Sequence, residues 1–171
     1  MSFKEIPVEE CGLNPFTKLA DYCIVTAGNK EKCNPMLVTW GGFGVMWRKP
    51  VASIYIRQSR FTKTILDAQS YFTLSFPPVS YKPKESYMGS HSGREGDKFE
   101  GSGLHPYAIG DEAVGLEEAD LILVCRKIYT HEMKEEFYTD KETYERWNSG
   151  RQAGNNHSIY MGEIVKVLKK C

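Results

Sequence analysis

The sequence lacks the long apolar segments and the excess of charge that mark membrane and nucleic-acid-binding proteins. Its longest uninterrupted apolar run is residues 121–125, far shorter than the roughly 20 residues that a membrane-spanning helix needs. The 22 basic residues balance the 22 acidic ones, whereas binding to nucleic acid or to anionic lipid depends on excess cations. Because the amino terminus also lacks an apolar signal core, we expect a cytoplasmic protein with neither nucleic acid nor membrane as partner.

Cysteine and histidine are present, but not in patterns that indicate a disulfide framework or a metal site. The five cysteines are an odd number without Cys-x-x-Cys spacing, and the four histidines are scattered. The zinc-protease pattern that begins at residue 131 has no second histidine, and the phosphate loop and the nucleophile elbow are absent. If the protein is an enzyme, a cofactor is therefore expected to carry the chemistry.

The 171 residues predict one domain that spans residues 1–171 and begins with an irregular lead-in at residues 1–15. Strand patterns, rich in β-branched and aromatic residues, outnumber short helical patterns. The expected strands are residues 16–26, 34–47, 51–57, 71–76, 120–126 and 158–168, and the expected helices are residues 62–68, 84–91 and 140–147, the last capped by Asp140. In the first strand Leu19, Tyr22, Ile24 and Val25 are expected to be buried, and the strand at 120–126, apolar on both faces in its middle, is expected to be buried on both sides. Because strands and helices do not alternate regularly, we predict a mainly β fold with short helices, either a β-barrel or an α+β domain.

A polar corner follows the strand predicted at residues 51–57. It holds two guanidinium groups and two hydroxyls, on Arg57, Ser59, Arg60 and Thr62, at the point where a helix is expected to begin. Thr62 fits the N-cap position of that helix. Free backbone N–H groups, forked cations and hydroxyls suit a phosphate monoester. A solvated strand end explains these residues equally well, so they do not decide between the two interpretations.

Two further segments could contact a ligand. Trp40 lies next to Gly41 in the strand predicted at residues 34–47, where a flat ring system could pack on it, while Trp47 is expected to be ordinary core. The glycines of this strand suggest a bulge or a close backbone approach, and they do not have dinucleotide-binding spacing. The loop at residues 79–106 is long enough to be functional or mobile, and its glycines, serines and Lys98 could hold an anionic edge or be merely solvated.

Five segments, in this order along the chain, resemble the flavin reductase-like family, the FMN-binding split barrels that include flavoredoxin. They are N-P-M-L-V-T-W-G at residues 34–41, K-P-V-A-S-I-Y-I-R-Q-S-R-F-T at 49–62, F-T-L-S-F at 72–76, S-G-R-E-G-D-K at 92–98 and I-Y-M-G-E-I at 159–164. The resemblance covers roughly residues 16–168. It implies an FMN-binding split barrel that forms a homodimer, with FMN near the subunit interface.

The resemblance also assigns cofactor-binding roles to three groups of residues. Those expected along the flavin ring are Asn34, Met36, Val38, Thr39 and Trp40; those expected at the phosphate are Arg57, Gln58, Ser59, Arg60 and Thr62; those expected over the other side of the ring are Ser90, Ser92, Gly93 and Lys98. Gln58 stands where family members often have proline. That departure leaves the turn geometry, and the share of each arginine in phosphate binding, open.

The function that the resemblance implies is an FMN-dependent oxidoreductase. NAD(P)H would reduce the flavin, which would pass electrons to free flavin, iron, a protein or a small organic acceptor. Because no nicotinamide-binding motif is present, the nicotinamide is expected to meet the flavin in an open cleft. The alternatives are a flavoredoxin-type electron carrier or redox sensor without nicotinamide activity, and a binding module that keeps the fold without flavin.

Overall fold

The structure of the chain, a computed structural model, describes residues 2–21 and 23–171. Its strands are β1 (Phe3–Ile6), β2 (Cys23–Gly28), β3 (Cys33–Val38), β4 (Gly41–Met46), β5 (Lys49–Arg57), β6 (Tyr71–Phe76), β7 (Pro106–Ile109), β8 (Ala113–Leu116), β9 (Leu121–Glu132) and β10 (His157–Lys170). Its α-helices are α1 (Pro15–Asp21), α2 (Phe61–Ala68), α3 (Lys82–Ser90), α4 (Lys98–Ser102) and α5 (Lys141–Asn148). None of the helices that the structure describes has the length and apolar character needed to cross a membrane.

Eight strands form one antiparallel sheet in the order β3-β2-β6-β9-β10-β5-β4, with β1 also paired to β10. Strands β7 and β8 form a separate hairpin. The main apolar cluster draws buried side chains from both ends of this order, such as Val38 of β3 and Ile54 of β5. Side chains from distant strands can share one core only if the sheet curls, so the predicted mainly β fold with a barrel-like sheet is confirmed.

The sheet is covered on both faces at its centre. In β9, Leu121, Leu123 and Cys125 face the main core, whereas Ile122 faces a second apolar cluster beneath α3, α4 and the β7–β8 hairpin. Strands buried on both faces have continuous apolar sequences rather than alternating ones. The short apolar run in the sequence therefore marks the strand that separates the two cores, as predicted.

The amino-terminal predictions are wrong in two places. The lead-in contains β1, which pairs with the end of β10, and residues 16–26 divide into α1 and β2 instead of forming one strand. The reason lies in Asn14-Pro15, because the Asn14 side chain accepts a hydrogen bond from the Phe16 N–H and proline suits the first helical position. Ile24 and Val25 are buried as predicted, whereas Tyr22 lies outside the described residues.

The glycine-rich strand predicted at residues 34–47 is two strands, β3 and β4. Gly41 allows the close backbone approach that was expected, since a Cβ there would collide with the Ser53 carbonyl of β5. The β4–β5 hairpin turns through Trp47 and Arg48, both with left-handed backbone angles (φ 52° and 59°). Trp47 is 61% exposed at this tip, so its assignment to the core is wrong.

Later elements agree more closely with the prediction. Strand β6 has the predicted bounds, α3 overlaps the helix predicted at residues 84–91, and the Asp140 side chain caps α5 as expected. The β7–β8 hairpin was not predicted within the polar region that precedes β9. The N-cap of α2 is Arg60, whose backbone is still extended (φ −74°, ψ 131°), and not Thr62, which lies in the first helical turn with its hydroxyl bonded to Asn34 of β3.

Helix α2 gives the candidate site its position. It connects β5 to β6, yet it packs on β2 and β3 through its buried residues Thr62, Ile65 and Leu66. The first turn of α2 is therefore held next to β3, and the polar corner after β5 comes to lie against the segment that begins at Asn34. The sequence motifs at residues 34–41 and 49–62 become neighbours through this packing.

Gly162 in β10 provides a test of the tightly packed centre of the sheet. A Cβ at this position would lie 2.7 Å from both the Cys125 Cβ and the Phe72 ring. We expect Gly162→Ala to lower the free energy of unfolding in urea by about 1–3 kcal/mol. Gly44→Ala is the matched control, since a Cβ there meets nothing within 4 Å, and it should change stability by less than about 0.5 kcal/mol. Equal stability of the Gly162 variant and the wild type would contradict this packing.

Candidate functional site

A cleft of about 210 Å³ lies between β3, the first turn of α2 and the loop that joins α3 to α4. We call it the cationic cleft because three cations and four hydroxyls line it: Arg60, Arg94 and Lys98 with Ser59, Thr62, Ser90 and Ser92. One carboxylate, Glu95, also lines the cleft, and it accepts a hydrogen bond from the Ser92 N–H at 3.2 Å. Asn34 and Met36 of β3 form its floor, and Gly93 lies in its rim. The structure thus brings most of the predicted phosphate residues together with most of the predicted loop residues.

Thr62 is oriented by Asn34. The Asn34 amide donates to the Thr62 hydroxyl oxygen at 2.7 Å and to the Pro35 carbonyl at 3.2 Å, and both side chains are buried. Since the hydroxyl oxygen accepts this bond, its own proton remains available for a group in the cleft. The side chain of the N-cap residue Arg60 does not cap the first-turn N–H groups of α2. The corner therefore presents a hydroxyl donor beside the positive end of a helix.

Lys98 is a buried cation at the back of the cleft. Only 4% of it is exposed, and its ammonium group donates to the Met88 carbonyl. Burial, with a smaller contribution from the nearby Arg60 guanidinium, lowers the pKa of Lys98 to about 8. Arg60 itself makes no side-chain hydrogen bond among the described residues. Two cations that repel each other at short range would both be stabilised by a shared anion.

The loop above the cleft is fixed by contacts to the same corner. Arg94 donates to the Ser59 carbonyl at 3.1 Å, and its guanidinium lies 5.5 Å from the centre of the Phe61 ring. Gly93 lies so close to Asn34 and Phe61 that any Cβ would collide with them. Glycine at this position therefore lets the loop approach β3 closely.

A second cleft, of about 180 Å³, continues from the first through Met36 and Arg60. We call it the strand cleft because residues 36–40 form one of its sides, including the predicted Val38, Thr39 and Trp40. Arg57 and His157 lie on the opposite side. Sequence reasoning missed His157, and only the register of β10 against β5, which pairs it with Arg57, reveals its place.

His157 is neutral in this environment. Burial, followed by the positive charges of Arg57 and Arg60, lowers its pKa to about 4. Its ring centre lies 5.0 Å from that of Trp40, so the two rings pack at the end of the strand cleft. A neutral imidazole with 8% exposure contributes a polar edge to the cleft without adding charge.

Arg57 and Gln58 do not line the cationic cleft. The Arg57 guanidinium donates to the Trp147 carbonyl at 2.8 Å and to the Asn155 carbonyl at 2.9 Å. Burial, and after it the positive charge of Arg60, lowers the pKa of Arg57. The Gln58 amide donates to the Ser158 hydroxyl at 2.9 Å, outside both clefts. Of the two arginines expected at a phosphate, the structure places Arg60 in the cationic cleft and uses Arg57 to hold the segment after α5.

The curled antiparallel sheet with its short helices is the architecture of the split-barrel class. The chain belongs to the flavin reductase-like family, because the sequence profile of the flavin reductase like domain matches residues 20–170. No functionally curated protein is similar enough to match the chain.

Solved structures of this class share the fold at low sequence identity. A flavoredoxin from Methanosarcina acetivorans is 22% identical with a TM-score of 0.67, and the match covers 87% of this chain and 68% of that one. An FMN-binding protein from Thermus thermophilus is 23% identical with a TM-score of 0.66, over 87% and 71% of the two chains. An NADH:FAD oxidoreductase from Streptomyces globisporus is 15% identical with a TM-score of 0.63, over 87% and 75%. These similarities confirm the expected split-barrel fold.

The role of Arg57 can be tested by its removal. Arg57→Ala leaves the carbonyls of Trp147 and Asn155 without their charged donor, a bond type worth about 1.5–3 kcal/mol. We expect backbone amides at residues 147–156 to exchange with deuterium at least about tenfold faster. Arg151→Ala, which changes an exposed arginine of the same segment, should leave exchange unchanged. Unaltered protection in the Arg57 variant would refute its role as an anchor.

Proposed function

We propose that the protein binds FMN across the two connected clefts, with the phosphate in the cationic cleft and the flavin ring along residues 36–40. The observation that carries this proposal is the convergence of Arg60, Arg94 and Lys98 with four hydroxyls on one small cleft. Phosphate monoesters are bound by this combination of cations and hydroxyls. The cleft also continues through Met36 and Arg60 into a groove alongside β3, which suits an elongated ligand.

The residues that would hold the cofactor have separate tasks. Arg60, shared by the two clefts, would bind the phosphate as a forked donor, and Thr62 would add the hydroxyl proton that Asn34 leaves free. Ser92 would donate from the loop, and Gly93 would let that loop lie close to the ligand. The Ser90 hydroxyl, at the end of α3, already donates to the Ser86 carbonyl at 3.0 Å, so it would offer its oxygen only as a lining group. Val38, Thr39 and Trp40 would flank the ring through the strand cleft.

When bound, FMN would supply reversible acceptance of hydride, which is chemistry that the side chains of this chain do not offer. The part played by the chain is positioning and electrostatics. Arg60 and Lys98 would stabilise negative charge on the cofactor, and burial strengthens this interaction because Lys98 is shielded from water. Because His157 is neutral, it would contact the cofactor through a polar ring edge without adding positive charge.

The reaction that best fits these features is electron transfer from NAD(P)H to an acceptor such as flavin, iron or a small organic molecule. Membership of the flavin reductase-like family and the similarity to an NADH:FAD oxidoreductase support it. The clefts are open to solvent, so reduced nicotinamide can reach the flavin ring directly. Similarity to flavoredoxins keeps an electron carrier without nicotinamide activity as the second candidate.

Dimerisation is part of the proposal. The tip of the β4–β5 hairpin exposes a group of large apolar side chains: Val45, Met46 and Trp47. Exposed apolar patches of this kind mark interaction sites more often than free surface. We therefore keep the homodimer as the proposed state of the protein in solution.

The phosphate assignment can be tested by comparing FMN with riboflavin, which lacks the phosphate. Arg60→Ala should weaken FMN binding about tenfold to a hundredfold, because a charge-assisted hydrogen bond contributes about 1.5–3 kcal/mol. Riboflavin affinity should stay within about twofold. Quenching of flavin fluorescence measures both affinities, and Arg151→Ala serves as an exposed control. Parallel losses for both flavins would show that Arg60 does not bind the phosphate.

The electron donor can be tested by anaerobic mixing of the FMN-loaded protein with NADH or NADPH. Bleaching of the flavin absorption band by at least one nucleotide is expected of a nicotinamide-dependent enzyme. A flavin that stays oxidised with both nucleotides, yet is reduced by dithionite, would reject the enzyme and favour the electron carrier. A colourless protein that takes up no FMN would reject both.

A further inference from the structure

A third cavity, of about 460 Å³, lies beside the strand cleft and is larger than either cleft described above. We call it the aromatic cavity because rings form most of its wall: Trp40, Tyr55, Tyr138, Trp147 and His157, joined by the thioether of Met133. Its volume lies within the range of roughly 300–1,000 Å³ that is typical of small-molecule sites. No step of FMN binding proposed above uses Tyr138, Trp147 or Met133.

The outer wall of the aromatic cavity is fixed in place. The Trp147 ring packs edge-on against Trp40 with the ring centres 5.2 Å apart and an interplanar angle of 84°. The Trp147 carbonyl accepts a hydrogen bond from Arg57. The segment that follows α5 is also fixed, because the Asn155 side chain accepts a hydrogen bond from the Ser59 N–H at 2.9 Å. Trp147 remains 46% exposed and Trp40 remains 42% exposed. Two large rings are therefore presented to a ligand in a preformed arrangement.

Some polar side chains of the aromatic cavity form hydrogen bonds within the protein, and others are available to a ligand. The Asn148 amide donates to the Tyr144 carbonyl and its oxygen accepts from Arg57, while the Thr143 hydroxyl donates to Asp140. The hydroxyls of Tyr55 and Tyr138 make no hydrogen bond among the described residues, and both residues are partly buried. The cavity thus offers flat apolar walls and two phenolic donors that suit carbonyl oxygens.

The charge around the cavity selects against cations. Among the described residues that line it, none is a carboxylate. Arg57 and Arg60 flank it through the adjoining strand cleft, which shares Trp40, Tyr55 and His157 with it. The Arg146 guanidinium also lies 5.6 Å from the centre of the Trp147 ring, so this wall of the cavity already contacts a cation. The occupant that these charges favour is a neutral or anionic ring.

We infer that the aromatic cavity is a binding site for a planar aromatic carbonyl compound of the quinone class, held between ring faces with its carbonyl oxygens on Tyr55 and Tyr138. The binding follows from the cavity alone. A role for the quinone as electron acceptor rests on the proposed function, because the cavity adjoins the strand cleft.

The corresponding reaction balances without further components. Conversion of a quinone to its hydroquinone consumes two electrons and two protons, and each carbonyl oxygen becomes a hydroxyl. Hydride from NAD(P)H, for which the proposed flavin would be the carrier, would supply both electrons and one proton, and solvent would supply the second proton. NAD(P)⁺ and hydroquinone are the products.

The test uses the full-length protein and isothermal titration calorimetry, with anthraquinone-2-sulfonate as the probe. This probe is planar, anionic and unreactive toward thiols, and it carries two ring carbonyls. We expect saturable binding of one molecule per chain, with or without FMN present. Methyl viologen, which is also planar and aromatic but doubly cationic, should not bind.

Two variants and a control assign the binding to this cavity. Trp147→Ala should weaken anthraquinone-2-sulfonate binding about tenfold or more, since it removes one ring wall. Tyr138→Phe keeps the ring and removes only the donor, so about a threefold loss is expected, and it stays informative if the tryptophan variant misfolds. Phe16→Ala removes an aromatic ring that is 89% exposed in α1 and belongs to neither the clefts nor the β4–β5 hairpin tip, so it should stay within twofold.

Three results would overturn the inference. They are the absence of saturable binding, equal affinity of the wild type and both cavity variants, and one-for-one displacement of the probe by FMN. The third would mean that the cavity is part of the cofactor site. Failure of the proposed function is distinguishable, because a protein that binds the probe but ignores NADH and NADPH would keep the site and lose only its role in electron transfer.

Discussion

The buried hydrogen bond between Asn34 and Thr62 is the interaction on which the arrangement of the site depends. These residues lie 28 positions apart in the chain, yet their buried side chains meet at 2.7 Å at the wall of the cationic cleft. Breaking such a bond leaves buried polar atoms without partners, so the structure favours a single placement of α2 on β3. Because α2 is held in this position, the polar corner after β5 lies opposite the loop that contains Gly93.

The paired strands β5 and β10 extend this order to the other end of the site. Their register places His157 beside Arg57, and Arg57 reaches from the sheet to the Trp147 carbonyl at the end of α5 and the Asn155 carbonyl beyond it. The long segment between β9 and β10 is thereby hydrogen-bonded to β5, the strand that leads into the cationic cleft. One strand thus supports two neighbouring surfaces with opposite character, one charged and hydroxyl-rich, the other aromatic.

Local patterns in the sequence predicted the parts of this arrangement that depend on neighbouring residues. Strand β6, the cap at Asp140 and the two-sided burial of β9 follow from composition and periodicity. The direction of the Arg57 side chain could not be predicted, because its partner carbonyl at Trp147 lies 90 residues away. His157 has no local signal that separates it from other strand-start residues, and α1 was missed because Asn14-Pro15 was interpreted as the end of the lead-in instead of a helix start.

Lys98 links the occupancy of the cationic cleft to the uptake of protons. Its pKa of about 8 lies below the ordinary lysine value of 10.5, so between these pH values the folded protein holds less of this proton than the unfolded chain does. The contribution of Lys98 to the free energy of unfolding therefore rises with pH across that interval. Below the interval the buried ammonium group lowers the stability by an amount that does not change with pH. An anion that enters the cleft raises the pKa again, so anion binding in this interval takes a proton from solvent. Alkaline pH would accordingly weaken anion binding, although it increases the stability of the folded protein.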